Sequence, residues 1–91
     1  MWRNYLHHYH LMVEKVDNEI GKIIRALESE GLDQNTLIIF TSTNGEGAAS
    51  HQWAGNLSLY EESVKVPMII TWFGETEPGI DNEYHVSGLD I

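Results

Sequence analysis

Cysteine is absent from the sequence, which excludes a disulfide framework, a thiolate metal site and a cysteine nucleophile. Basic residues are scarce: 5 Lys and Arg stand against 14 Asp and Glu, for a formal charge of −9. Nucleic acid and anionic membranes are poor partners on this balance, because phosphate binding relies on clustered cations and the few present here are scattered. No apolar run approaches the length of a membrane span, and no basic-then-apolar leader opens the chain. The length of 91 residues allows one small domain at most, and a domain of that size has a thin stability margin. Internal repeats and low-complexity tracts are also missing.

What is present begins with a helix pattern over residues 5–29. Tyr9, Met12, Val13, Val16, Ile20, Ile23, Ile24 and Leu27 recur at steps of three and four, which places them on one stripe. Glu14, Lys15, Asp17, Asn18, Glu19, Lys22, Arg25 and Glu28 fill the remaining surface, and Gly31 is positioned as a C-cap. After the turn residues "GLDQNT", the run "TLIIFTS" predicts a strand covered on both faces, as in a parallel sheet. "LSLYEES" predicts a helical turn or two, and "VKVPMIITWF" a second strand with Pro67 confined to its start or an edge. The link between the strands is long enough for a parallel crossover. "HVSGLDI" reads as a strand end followed by a helix start, with Ser87 as N-cap and Asp90 three residues on.

The fold class is therefore α/β, with one long amphipathic helix and two or three mainly parallel strands. Two strands and one helix cannot cover both faces of a sheet, and the chain stops where the last helix would begin. The expected remedy is a second copy of the chain or the rest of a parent domain.

Ligands of α/β sheets gather beyond the carboxyl ends of strands, and "TSTNGEG" occupies such an end. Asn44 and Glu46 offer oxygens of the kind that hard cations take, while an Asn-Gly turn capped by its own side chains is the simpler reading. His7, His10 and Glu14 share one helix face and form a second possible metal cluster, beside His8. Ser42, Ser50, Ser58 and Ser63 are available as nucleophiles with His51 nearby, but none lies in a G-x-S-x-G elbow. Tyr60, Glu61 and Glu62 are read as a packing turn ahead of the second strand rather than as an acid/base group.

Taken in order, "MVEKVDNEIGKIIRALESEGLDQNTLIIFTS", the turn "TNG", "SLYEESVKVPMIITWFG" and "VSGLDI" resemble the sulfatase family of the alkaline-phosphatase-like superfamily. The resemblance spans nearly the whole chain. It implies that residues 1–91 are one partial catalytic-domain segment, from the later part of an α/β/α sandwich. It also implies sulfuric ester hydrolysis by a formylglycine nucleophile, assisted by a divalent cation, commonly Ca²⁺.

Carried over residue by residue, the family's metal-binding aspartate in "S-D-[NH]-G" corresponds to Thr43, and the Asn or His ligand beside it to Asn44. The lysine of the family's "AGKLSLYEE"-like stretch corresponds to Asn56, and His51 matches a loop histidine on the substrate side. The nucleophile motif C/S-x-P-x-R and the early pair of metal-binding aspartates are not in this chain. Exchanging a carboxylate for a hydroxyl beside a cation is expected to cost on the order of 4 kcal/mol, or roughly three orders of magnitude in affinity. The implied lineage is a sulfate-ester hydrolase that is inactive as this isolated chain, with calcium binding in doubt. A non-catalytic α/β module that self-associates or binds a partner is the alternative, and a phosphate- or phosphonate-ester hydrolase relative is another.

Overall fold

The long apolar stripe is realised as helix α1, Trp2–Ser29, in a computed structural model that describes residues 1–91. Its end is fixed by Gly31, whose φ of +68° is the left-handed conformation that glycine adopts without a Cβ clash. The Gly31 N–H donates to the Glu28 carbonyl at 3.1 Å and the Leu32 N–H to the Leu27 carbonyl at 2.9 Å. Together these bonds form a Schellman closure. A 3₁₀ turn, Asp33–Asn35, then leads into strand β1, Leu37–Thr41.

A looped segment carries the chain to a single helical turn, α2, Glu61–Val64, and then to strand β2, Met68–Trp72. Pro67 directly precedes β2, where its missing N–H leaves the ladder intact. The indole N–H of Trp72 donates to the Gln34 carbonyl at 2.8 Å and ties the end of β2 to the 3₁₀ turn.

The two strands pair antiparallel, with Thr41 opposite Met68 and Leu37 opposite Trp72. This corrects the parallel arrangement expected from the sequence. The link between the strands is long, but no helix in it crosses a sheet face. It folds back on itself and re-enters beside the end of β1 that it left. Residues 73–86 contain no third strand. The predicted helix start survives only as a turn, in which the Ser87 N–H donates to the Asp90 carboxylate at 2.6 Å and the Leu89 N–H to Ser87 Oγ at 3.2 Å.

The register assigns Leu37, Ile39, Met68, Ile70 and Trp72 to one sheet face, and Ile38, Phe40 and Ile69 to the other. Both faces are thus apolar, the pattern of a sheet meant to be covered twice. Here no hydrophobic side chain is fully buried. The accessible surface is 8031 Å², against roughly 5,400 Å² for a closed domain of this mass. The radius of gyration is 16.1 Å, where a compact chain of this length has about 12 Å. The elements are complete, but the layers that would enclose them are not.

Candidate functional site

At the carboxyl end of β1 the chain turns through residues tied to one another. Ser42 Oγ donates to the Asn44 carbonyl at 2.7 Å, and Thr43 Oγ1 donates to Asn44 Oδ1 at 3.1 Å. Asn44 Nδ2 donates to the Gly45 carbonyl at 2.8 Å. Both ends of the Asn44 amide are therefore engaged locally, as short polar side chains do in turns.

Gly45 serves close approach rather than an unusual φ. Its N–H donates to the Ser63 carbonyl at 2.8 Å, and a Cβ at this position would collide with the Glu62 carbonyl oxygen. The contact pins the turn after β1 to α2. Ser63 is itself buried, and its Oγ lies 2.6 Å from Ser58 Oγ.

Glu46 does not face the turn. Tyr5 Oη donates to its Oε1 at 2.6 Å, and the Gly55 N–H donates to the same oxygen. The Tyr5 hydrogen bond, followed by the Gly55 N–H, holds the Glu46 pKa below the usual carboxylate value, against a partial desolvation that opposes the shift. The same bond raises the pKa of Tyr5. Glu46 thus acts as an anchor that joins the start of α1 to the loop.

The loop itself closes through Gly47 N–H to the Gly55 carbonyl at 3.0 Å and Ala49 N–H to the Trp53 carbonyl at 2.9 Å. Between these bonds, Ala48, Ala49, His51 and Gln52 hold φ values of 45°, 69°, 53° and 59°. Such left-handed residues cost roughly 1–2 kcal/mol each, so the backbone bonds and the buried Gly47 must over-determine the shape. The His51 ring stacks on Tyr60 at 4.4 Å, with Nε2 3.5 Å from Glu62 Oε1.

Beside this turn lies an open groove of about 890 Å³ whose polar lining comprises Thr41, Ser42, Thr43, Lys65, His85, Ser87 and a single acidic side chain, Glu61. Of the residues singled out from sequence, Ser42, Thr43, Glu61 and Ser87 line it. Asn44 is folded onto its own turn, His51 is held by Tyr60, and Asn56 is exposed and outside the groove. Lys65 and His85 were not foreseen. Lys65 reaches the Thr43 end only because β2 runs antiparallel; a parallel strand would have carried it to the far end of the sheet. The alternation of strand residues gives no signal of direction, so the pairing had to be seen.

The donor set can be tested against a calcium ion, which takes six to eight oxygens, usually several of them carboxylate. The turn presents hydroxyls and one amide oxygen already accepting from Thr43, while Glu46 points to Tyr5. Nowhere do three His, Asp or Glu side chains converge, so His7, His10 and Glu14 do not form the metal-binding group that their spacing allowed. The residues present do not fit the cation.

A family model described as Sulfatase matches residues 2–90. Arylsulfatase K of Bos taurus is 38% identical over 81 residues, covering 89% of this chain and 14% of that protein. An endo-4-O-sulfatase of Bacteroides thetaiotaomicron is 36% identical over 76 residues, covering 82% and 15%. An N-acetylglucosamine-6-O-sulfatase of the same organism is 34% identical over 71 residues, covering 78% and 13%. The chain therefore spans about one-seventh of the length of these curated relatives. No solved structure gives a significant match.

Proposed function

The chain belongs to the sulfatase family, and from that premise we propose that it is a segment of the catalytic domain of a sulfuric ester hydrolase. By itself it does not turn over substrate. The observation that carries this reading is the turn after β1, which lies where strand-end ligands gather but offers no converging carboxylate. Thr43 stands at the position of the family's aspartate, and its hydroxyl is spent on Asn44. Asn56 stands at the position of the family's lysine and is a neutral, exposed side chain. The segment contributes scaffold and, at Asn44, only the position of a family amide ligand; the nucleophile and the cation ligands belong to the rest of an α/β/α sandwich. In that sandwich both apolar sheet faces and the stripe of α1 would be covered.

The test is direct. Purified chain incubated with an aryl sulfate and calcium is expected to release no phenol above the buffer rate. Turnover that a chelator abolishes would overturn the reading.

A second reading has its own observation. Trp2, Leu6, Tyr9, Val13, Val16, Ile20, Ile23 and Leu27 alternate in steps of four and three without a break, which is the a/d seam of a coiled coil. The middle of this seam is uncovered: Val13 is 50%, Val16 56% and Ile23 63% exposed. The surface in excess of a closed domain, roughly 2,600 Å², exceeds the approximately 800 Å² per partner of a standard interface. A second copy pairing α1 against α1 antiparallel would set His10 beside Asp17 and cover the seam. Sedimentation at rising concentration distinguishes the two. A dimer broken by Val16→Glu supports self-association, and a monomer throughout rejects it.

A further inference from the structure

Asn44 followed by Gly45 is the one Asn-Gly pair among the asparagines of the chain, and it directly follows Thr43, which lines the groove. Glycine is the successor that least obstructs attack of its own backbone nitrogen on the preceding side chain. We propose that Asn44 is a site of spontaneous deamidation, timed by opening of the hydrogen bond between Gly45 and Ser63.

The chemistry needs only water. Solvent base takes the Gly45 amide proton, and the nitrogen attacks Asn44 Cγ. The Cγ–Nδ2 bond breaks, ammonia leaves, and a five-membered succinimide remains. Water then opens the ring at either carbonyl, giving aspartate or the isoaspartyl linkage at position 44. No oxidant, metal or second protein is required, and every atom is accounted for by the chain and solvent.

The structure supplies the gate. In the closed turn the Gly45 N–H is spent on the Ser63 carbonyl at 2.8 Å, so its proton is not free to leave. The backbone of Gly45 packs so closely on α2 that a Cβ at this position would collide with the Glu62 carbonyl oxygen, so the turn must part from α2 before its backbone can rearrange. The leaving amide is also held, with Nδ2 donating to the Gly45 carbonyl and Oδ1 accepting from Thr43. The Asn44 side-chain bonds are exposed, and the Gly45–Ser63 bond is a single backbone contact with no buried hydrophobic side chain behind it, so opening is a local event and not global unfolding. The gate stands independently of the proposed function. Its consequence bears on that reading, because the product adds a negative charge at the position of the family's amide ligand.

The test is peptide mapping of the intact chain aged in mildly alkaline buffer, folded and in urea, with Asn44→Gln as the blank. The expected result is aspartate and isoaspartate at position 44 before any other asparagine. The unfolded chain should convert at least about fivefold faster, the weight of one net hydrogen bond. A matching acidic band on isoelectric focusing should appear in the parent and not in the blank. Equal rates in the two states would overturn the gate. Earlier conversion of Asn4, Asn18, Asn35, Asn56 or Asn82 in the folded chain would overturn the site. Folded protein still unmodified at Asn44 when the unfolded sample is fully converted would overturn the claim that local opening suffices.

Discussion

The loop after β1 and the regular elements around it are ordered by opposite means. The two buried residues of the chain, Gly47 and Ser63, both belong to the segment between the strands, where apolar content is modest. The elements richest in apolar residues bury none of them: Val16, Ile23, Ile69 and Ile70 are all more than half exposed. Small residues and backbone hydrogen bonds let the loop close on itself at short range. Helix and strands carry their stabilisation in side chains that need a facing layer, and the chain does not provide one. A hydrophobic pattern therefore announces where burial is intended, while a glycine-rich turn can complete its packing alone.

The sharpest way to break this contrast is Gly45→Ala. The new Cβ would meet the Glu62 carbonyl oxygen and lie 2.9 Å from its carbon, both backbone atoms that cannot step aside. Overpacking of this kind costs about 3 kcal/mol. Hydrogen-exchange protection of the Gly47 and Ala49 amides should fall on the order of a hundredfold, while far-UV helix content stays unchanged. A loss of helix content in parallel would show that loop and scaffold are one cooperative unit.

A smaller effect is expected at Gly31→Ala. The space around Gly31 is open, so only its φ of +68° resists a side chain. The penalty should be about 1 kcal/mol, read as earlier thermal loss of helix signal and fraying at Leu27 and Glu28. A cost near that of Gly45→Ala would mean that something packs on the helix end.

Val16→Glu sharpens the contrast from the other side. If α1 is uncovered in solution, this exposed substitution changes chain stability by less than about 0.5 kcal/mol. A larger loss would place a covering partner on the stripe.

Much of the contrast was already legible in the sequence. The helix, its Gly31 cap, both strands and the position of Pro67 follow from local periodicity and local backbone rules, which need no knowledge of the rest of the fold. Strand direction did not follow, because Ile39 opposite Ile70 and Phe40 opposite Ile69 suit either orientation chemically. The groove's Lys65 was hidden for the same reason, and His85 because the segment after β2 returns to the Thr41 end without a regular element to announce its path. At the turn itself, Thr43 and Asn44 were visible as residue types. The tie of Asn44 to its neighbour's backbone follows the self-capped Asn-Gly turn read from sequence, whereas the departure of Glu46 to Tyr5, 41 residues away, is a contact no spacing rule encodes.

The gentlest probe is proton concentration, acting on the link between these two regions. The Glu46 carboxylate, lowered by Tyr5 and the Gly55 N–H, is favoured in its charged form by the folded loop. Its contribution is fully present above the ordinary carboxylate value of 4.5 and is lost as pH falls through the lower folded value. Tyr5 has the opposite sign: its raised pKa contributes below the ordinary 10.0 and is lost as pH rises through the folded value. Between these limits the start of α1 should stay tethered to the loop. Glu46→Gln keeps an acceptor for Tyr5 but removes the charge, so the acid-side loosening should flatten, while Tyr5→Phe should abolish the alkaline limb and shrink the acid one, which the Gly55 N–H still supports. Near-neutral loop exchange rates unchanged by either substitution would show that the loop closes without its one tie to the helix, and that its order is wholly its own.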